Sequence, residues 1–196
     1  MRRIACVLVV LLGVTGCQHS TVDTKRARVV SVKNEMPSDV PIVIFSVRDK
    51  RSDRGRVGVA KNGYNQVLHD LNATGDVTSW IRESIVESLE NAGAQVFDDM
   101  VPGAVVMNLS LVELFTEANA NAFSGEITGK IVLDAEVEFP DGRAFTRRFG
   151  GVAKETYYMD WGFNLYERHI HKATDIAIRR LVSALRALII NPRAAR

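Results

Sequence analysis

Cysteine is almost absent from this chain of 196 residues: Cys6 and Cys17 are the only two, and both lie near the N-terminus. A disulfide framework, a cysteine zinc site and a cysteine nucleophile in the body of the protein are therefore excluded. Proline is scarce at 5 residues while 46% of the chain is hydrophobic, which argues against a low-complexity or wholly disordered protein. Charge of one sign is lacking as well. The 25 Lys and Arg against 23 Asp and Glu leave +2, and Arg2 and Arg3 beside Met1 account for that excess, so the rest of the chain is neutral. Net charge then gives no footprint for nucleic acid. Neither a G-x-S-x-G elbow, a P-loop, an H-E-x-x-H pair nor a G-x-G-x-x-G turn is present, so the expectation is no enzyme, no cofactor and no metal.

Long hydrophobic runs are confined to residues 4–14, an apolar stretch of eleven behind Arg2 and Arg3 that ends before the polar Gln18, His19 and Ser20. A bilayer-spanning helix needs about 20 apolar residues, so the length is that of a signal peptide. The following Val14-Thr15-Gly16-Cys17 resembles a bacterial lipobox, in which Cys17 becomes the lipid-modified N-terminus. Two or three acyl chains would then hold the protein on its membrane, at roughly 0.8 kcal/mol for each buried methylene. By resemblance to Gram-negative lipoproteins, Gln18 after the Cys, rather than Asp, implies outer-membrane sorting with the domain facing the periplasm. The expected organisation is a signal peptide over 1–16, the lipidated Cys17 and a polar tether over 17–26, a single domain over 27–191 and a tail over 192–196. At about 3.4 Å per residue, the nine tether residues after Cys17 would reach some 30 Å.

Within the domain, Val29, Val30 and Val32 suggest an edge strand, and the β-branched run 40–47 (VPIVIFSV) reads as a buried one. Residues 56–60 and 65–71 can pair around Asn62-Gly63 as a hairpin. From Asp76 the period becomes helical, with Val77, Trp80, Ile81, Ser84, Ile85, Ser88, Leu89 and Ala92 on one stripe, Asp76 as N-cap and Gly93 as stop. Strands are expected over 94–98, 104–117, 126–139 and 143–154, the last two joined by Pro140-Asp141-Gly142. A second helix should run from Asn164, spaced for a capping box with Glu167, to about Ile190 before Asn191-Pro192. These elements predict an α+β, two-layer sandwich: a mostly antiparallel sheet with two helices on one face.

Two clusters stand out as binding candidates. Arg48, Lys50, Arg51, Arg54 and Arg56 crowd five cations into nine residues beside Asp49 and Asp53, either a solvated loop with internal ion pairs or a site for a phosphate, a carboxylate or a protein partner. Tyr157, Tyr158, Trp161, Phe163 and Tyr166 place five aromatics in ten residues, either a plug between the last strand and the last helix or a platform for sugars or a partner. His169 and His171, two apart on a helix and so about 200° apart, do not make a metal pair and read as solvated. Carboxylates such as Asp98-Asp99, Glu136 and Glu138 read as solvated surface.

The lipobox, a β-branched strand ending in Asp49-Lys50-Arg51, a WIRESIVESLENAG helix, a long strand pair and a long C-terminal helix together resemble the YajG-type lipoproteins of Gram-negative envelopes. The resemblance implies an exported, lipid-anchored α+β domain with no catalytic residues, and the Asp-x-Arg of Asp49 and Arg51 at a strand end is the one pattern it matches. The expected function is a non-enzymatic binding or scaffold module at the envelope, with a membrane partner through its lipid and an envelope protein or glycan as further partner. The alternative is an accessory factor that binds lipopolysaccharide or peptidoglycan directly; a hydrolase of unrecognised type comes third.

Overall fold

A computed structural model describes residues 20–24, 36, 37, 39–121, 124–158 and 164–191. Cys17, the strand expected at 29–32, Trp161 and Phe163 lie outside the described residues. In chain order the elements are β1 (Ser20–Val22), β2 (Pro41–Asp49), β3 (Arg56–Asn62), β4 (Val67–Ala73), α1 (Val77–Asn91), β5 (Gln95–Phe97), β6 (Val105–Ala120), β7 (Ser124–Glu138), β8 (Ala144–Tyr158) and α2 (Asn164–Ile190).

The sheet corrects the expected antiparallel sandwich. It is an eight-stranded mixed sheet curled into a half-barrel, and four of its seven pairings, β1 with β4, β2 with β5, β2 with β6 and β3 with β6, are parallel. Only β3–β4, β6–β7 and β7–β8 are antiparallel. The physical cause is that β2 and β3 lie end to end along the same edge of β6, running in its direction. Asp49 stands opposite Leu111 and Gly58 opposite Thr116, so nine steps of chain answer five on β6 and the surplus leaves the sheet as a loop. Parallel partners come from distant sequence, so alternation within each strand cannot reveal them.

β6 carries a bulge opposite that loop. The register steps from Leu111↔Leu133 to Glu113↔Val132, leaving Val112 as the extra residue. Before it Val105, Met107, Leu109 and Leu111 point into the core; after it Leu114, Thr116, Ala118 and Ala120 do. One inserted residue thus inverts the phase of a period-two strand and lets a strand of 16 residues keep one buried face.

In α1 the stripe from Val77 to Leu89 is buried, and Asp76 caps it by accepting from the Thr78 amide at 2.9 Å. Ser84 and Ser88 can sit in the core because their hydroxyls donate to the carbonyls of Trp80 and Ser84, at 2.8 and 2.6 Å. Gly93 ends the helix with φ +92°. Residues of both helices and of β2, β6, β7 and β8 share one apolar core.

β1 forms inside the segment expected to be tether. Ser20 pairs opposite Leu71, Val22 is fully buried, and the Thr74 amide donates to the Val22 carbonyl at 3.0 Å. Only Gln18 and His19 separate Cys17 from the sheet.

α2 packs across β7 and β8 at very close range, which the sequence of the two strands permits. A Cβ at Gly129 would overlap the His169 backbone, and one at Gly151 would overlap the Ala173 carbonyl; Ala153, Ala173 and Ala177 keep the rest of the seam thin. Gly151→Ala is therefore expected to lower stability by about 1–3 kcal/mol, read as a lower urea midpoint at unchanged slope. Gly150→Ala is the control, since its added Cβ would meet only the Ile131 carbonyl at 3.8 Å. Equal midpoints for the two variants would refute the seam.

Candidate functional site

The five-cation cluster divides by environment. Arg51 is buried in the gap between β2 and β3, where Nε and Nη2 donate to the Asp49 carboxylate at 3.0 and 2.8 Å. Nη2 also donates to the Arg54 carbonyl at 3.0 Å, and Nη1 to the Arg56 carbonyl at 3.1 Å. One guanidinium thereby ties the end of one strand to the start of the next. Arg56 donates to Asp70 at 3.1 Å and lies 3.1 Å from Asp53. Arg48, Lys50 and Arg54 are exposed. The cluster thus comprises two internally paired arginines and three exposed cations.

Burial by itself would raise the Asp49 carboxyl, but the Arg51 hydrogen bonds hold it below the ordinary 3.8. A depressed folded value means that its contribution to stability is present above about pH 3.8 and is lost as pH falls through that lower value. With side chains only 4% and 14% exposed, loss of one partner leaves a buried charge or buried donors, so Arg51→Ala should cost about 3 kcal/mol. Asp49→Asn should start less stable at neutral pH and lose less than wild type on acidification below pH 3.8. Arg54→Ser should leave the melting temperature unchanged. Denaturant titrations of the three variants at pH 7 and pH 3 check all of this, and parallel acid curves for wild type and Asp49→Asn would contradict it.

The aromatic cluster also divides. Tyr157 is buried with Ala118 and Ile127, its ring over Gly125, and Tyr166 packs against it. Burial pushes both phenols up, that of Tyr166 further through the neighbouring Tyr157. Tyr158, the next residue of the strand, points the other way and is exposed. The two histidines are buried rather than solvated. His169 lies with Nδ1 2.8 Å from the Leu165 carbonyl and Nε2 3.1 Å from Glu155, joining α2 to β8. His171 faces the opposite side, its ring 5.1 Å from that of Trp80 and its Nε2 3.1 Å from the Asp23 carbonyl, so it fastens the entering chain.

A third feature went unseen in the sequence. Between β8, at the open edge of the sheet, and α2 lies a groove of about 530 Å³ lined by Arg147, Arg148, Arg179 and Arg180, with Ser183 and Phe149. Arg148 makes two bonds to Asp134 at 2.7 and 2.8 Å, Arg180 donates to the Gly150 carbonyl at 2.7 Å, and Arg147 lies over the Phe149 ring at 5.8 Å. Arg147 and Arg179 make no ion pair among the described residues. The Arg148 hydrogen bonds, with the nearby Lys50, lower the Asp134 carboxyl. Register explains the link: Arg48, Ser110, Asp134 and Arg148 form one row across β2, β6, β7 and β8. The two Arg-Arg doublets were the available signal, but only the strand–helix seam brings them together.

The sequence places the chain in a lipoprotein family. Residues 29–184 match the family Lipoprotein_16, described as uncharacterized lipoprotein, and the chain belongs to it. No protein of curated function matches. Among solved structures, protein XCC0632 from Xanthomonas campestris is similar over 89% of this chain and 98% of that one, with a TM-score of 0.62 at 15% identity, which shows a shared fold alone. The minor lipoprotein from Acinetobacter baumannii (TM-score 0.34, 15% identity, 72% and 94% covered) is more remote, as is lipoprotein GNA1162 from Neisseria meningitidis (0.33, 12%, 80% and 99%). No helix among the described residues is long and apolar enough to cross a membrane.

Proposed function

We propose that the chain is a YajG-type outer-membrane lipoprotein, held through acylated Cys17 with its domain in the periplasm, that binds an anionic envelope component without catalysing a reaction. The observation that carries the reading is the four-arginine groove. Four of its lining residues are arginines and none is acidic or a histidine, although the Arg148 guanidinium itself is held by Asp134; the composition suits a phosphate or carboxylate group. Arg148 and Arg180 are already braced by Asp134 and Gly150, which leaves Arg147 and Arg179 to meet a ligand. Arg48 and Lys50 extend the positive surface along the outer face.

Cys17→Ala should block acylation and signal-peptide removal together; palmitate incorporated by that variant would refute the anchor. For the groove, the lipidated protein is incubated with purified peptidoglycan sacculi and, separately, with lipopolysaccharide. Arg147→Ser with Arg179→Ser should reduce retention at least tenfold on whichever material is bound, and should leave the melting temperature nearly unchanged because neither residue has an ion pair among the described residues. Wild-type retention should fall as salt rises. Retention equal to wild type at low salt would overturn the groove as the binding site.

A further inference from the structure

Four of the nine large apolar side chains exposed among the described residues lie at one end of the molecule. The tip of the β3–β4 hairpin presents Tyr64, 88% exposed, with Val67 and Leu68 at 54% and 57%. The last rung of the sheet runs through Asn62, Ala120, Gly125 and Tyr157, so the same end carries Tyr158, 74% exposed. Single exposed apolar residues are ordinary on a protein surface, whereas two tyrosines and two aliphatic side chains at one end, away from the arginine groove, form a patch.

The position of β1 says what covers this patch. β1 runs parallel to β4, and Ser20 lies opposite Leu71, so the chain that precedes Ser20 comes from the side on which β4 begins, which is the hairpin tip. Cys17 is three residues before Ser20 and can be no more than roughly 11 Å from it. Leu68 is likewise three residues before Leu71. A lipid on Cys17 would therefore start within roughly 11 Å of Ser20, within reach of the β3–β4 tip, and β1 cannot be drawn out to give slack, because Val22 is buried and His171 and Thr74 hold Asp23 and Val22.

We infer that the β3–β4 tip, with Tyr158, is a second membrane contact, lying in the headgroup region of the leaflet that holds the lipid on Cys17. This rests on the anchor proposed above. Tyrosine suits the bilayer interface, where its ring is buried and its hydroxyl stays wet, and Val67 and Leu68 reach below it. One anchor point lets a domain swing, and a second sets its orientation. Arg148 is ten residues along β8 from Tyr158, roughly 33 Å at about 3.3 Å per residue, so the groove is held away from the membrane and opens toward the cell-wall side.

The test uses the lipidated protein in vesicles of phosphatidylethanolamine and phosphatidylglycerol. With Cys6 removed and Cys17 acylated, Leu68→Cys carries the single free thiol for an environment-sensitive fluorophore, and Thr146→Cys, exposed near the opposite end of β8, is the reference. The Leu68 probe should emit to the blue of the Thr146 probe and be quenched at least threefold more by spin-labelled lipids. Equal, weak quenching at both sites in protein that carries palmitate would overturn the membrane contact while leaving the anchor intact. A blue-shifted Leu68 probe that the lipids do not quench would assign the patch to a second copy or another protein and overturn it too. Protein without palmitate would refute the anchor, and this inference with it.

Discussion

The contact on which the remainder depends is the seating of α2 on β7 and β8, and it exists because two side chains are missing. Gly129 and Gly151 let the backbone of one helix lie against the backbone of two strands, closer than any Cβ would allow. That proximity buries Ile170, Ala173, Ala177, Ile178 and Leu181 in one core with Ile131, Leu133 and Phe149 of the strands. It also sets the distance between two Arg-Arg pairs. Arg179 and Arg180 follow the seam along α2, Arg147 and Arg148 precede it on β8, and the Arg180 bond to the Gly150 carbonyl fixes the width of the groove between them.

A second constraint governs the opposite half of the sheet. One edge of β6 has two tenants, β2 and β3, and the chain between them must leave and rejoin the sheet within a short gap. The buried Asp49–Arg51 pair closes that gap from both ends, with the Arg51 fork on the carboxylate and its spare donors on the carbonyls at the start of β3. Here a charge is buried because its geometry satisfies the strand ends, which is the condition under which a buried ion pair is tolerable. The bulge at Val112 sits across from the loop and bends β6 where its partners change.

These constraints separate two regions of the surface. The end that carries β1 and the β3–β4 tip is apolar and tied to the N-terminal chain; the far part of β8 and the last turns of α2 are cationic. Between them run salt bridges on the outer face, Lys61 with Glu117, Lys130 with Glu113 and Lys154 with Glu126, each pairing neighbouring strands. A chain whose formal net charge is only +2 can thus still gather several arginines in one groove.

Much of this was legible before any coordinates. The extents of α1 and α2 follow from their helical stripes, the caps and Gly93; the 62–63 turn and the 140–142 turn follow from glycine placement; and lipoprotein character follows from residues 1–17. What stayed hidden was pairing. Parallel neighbours such as Ile42 and Val105 are separated by a hairpin, a helix and a strand, and no local period records their meeting, so the sheet read as antiparallel. The burial of His169 and His171 and the groove of Arg147, Arg148, Arg179 and Arg180 were hidden for the same reason. By itself the sequence determined the local elements and the lipoprotein character, since periodicity, capping and motifs are encoded in neighbours along the chain. Tertiary structure alone decided which edges pair, which charges are spent on each other and which stay available, because those outcomes depend on distances between residues that the order of the chain does not contain.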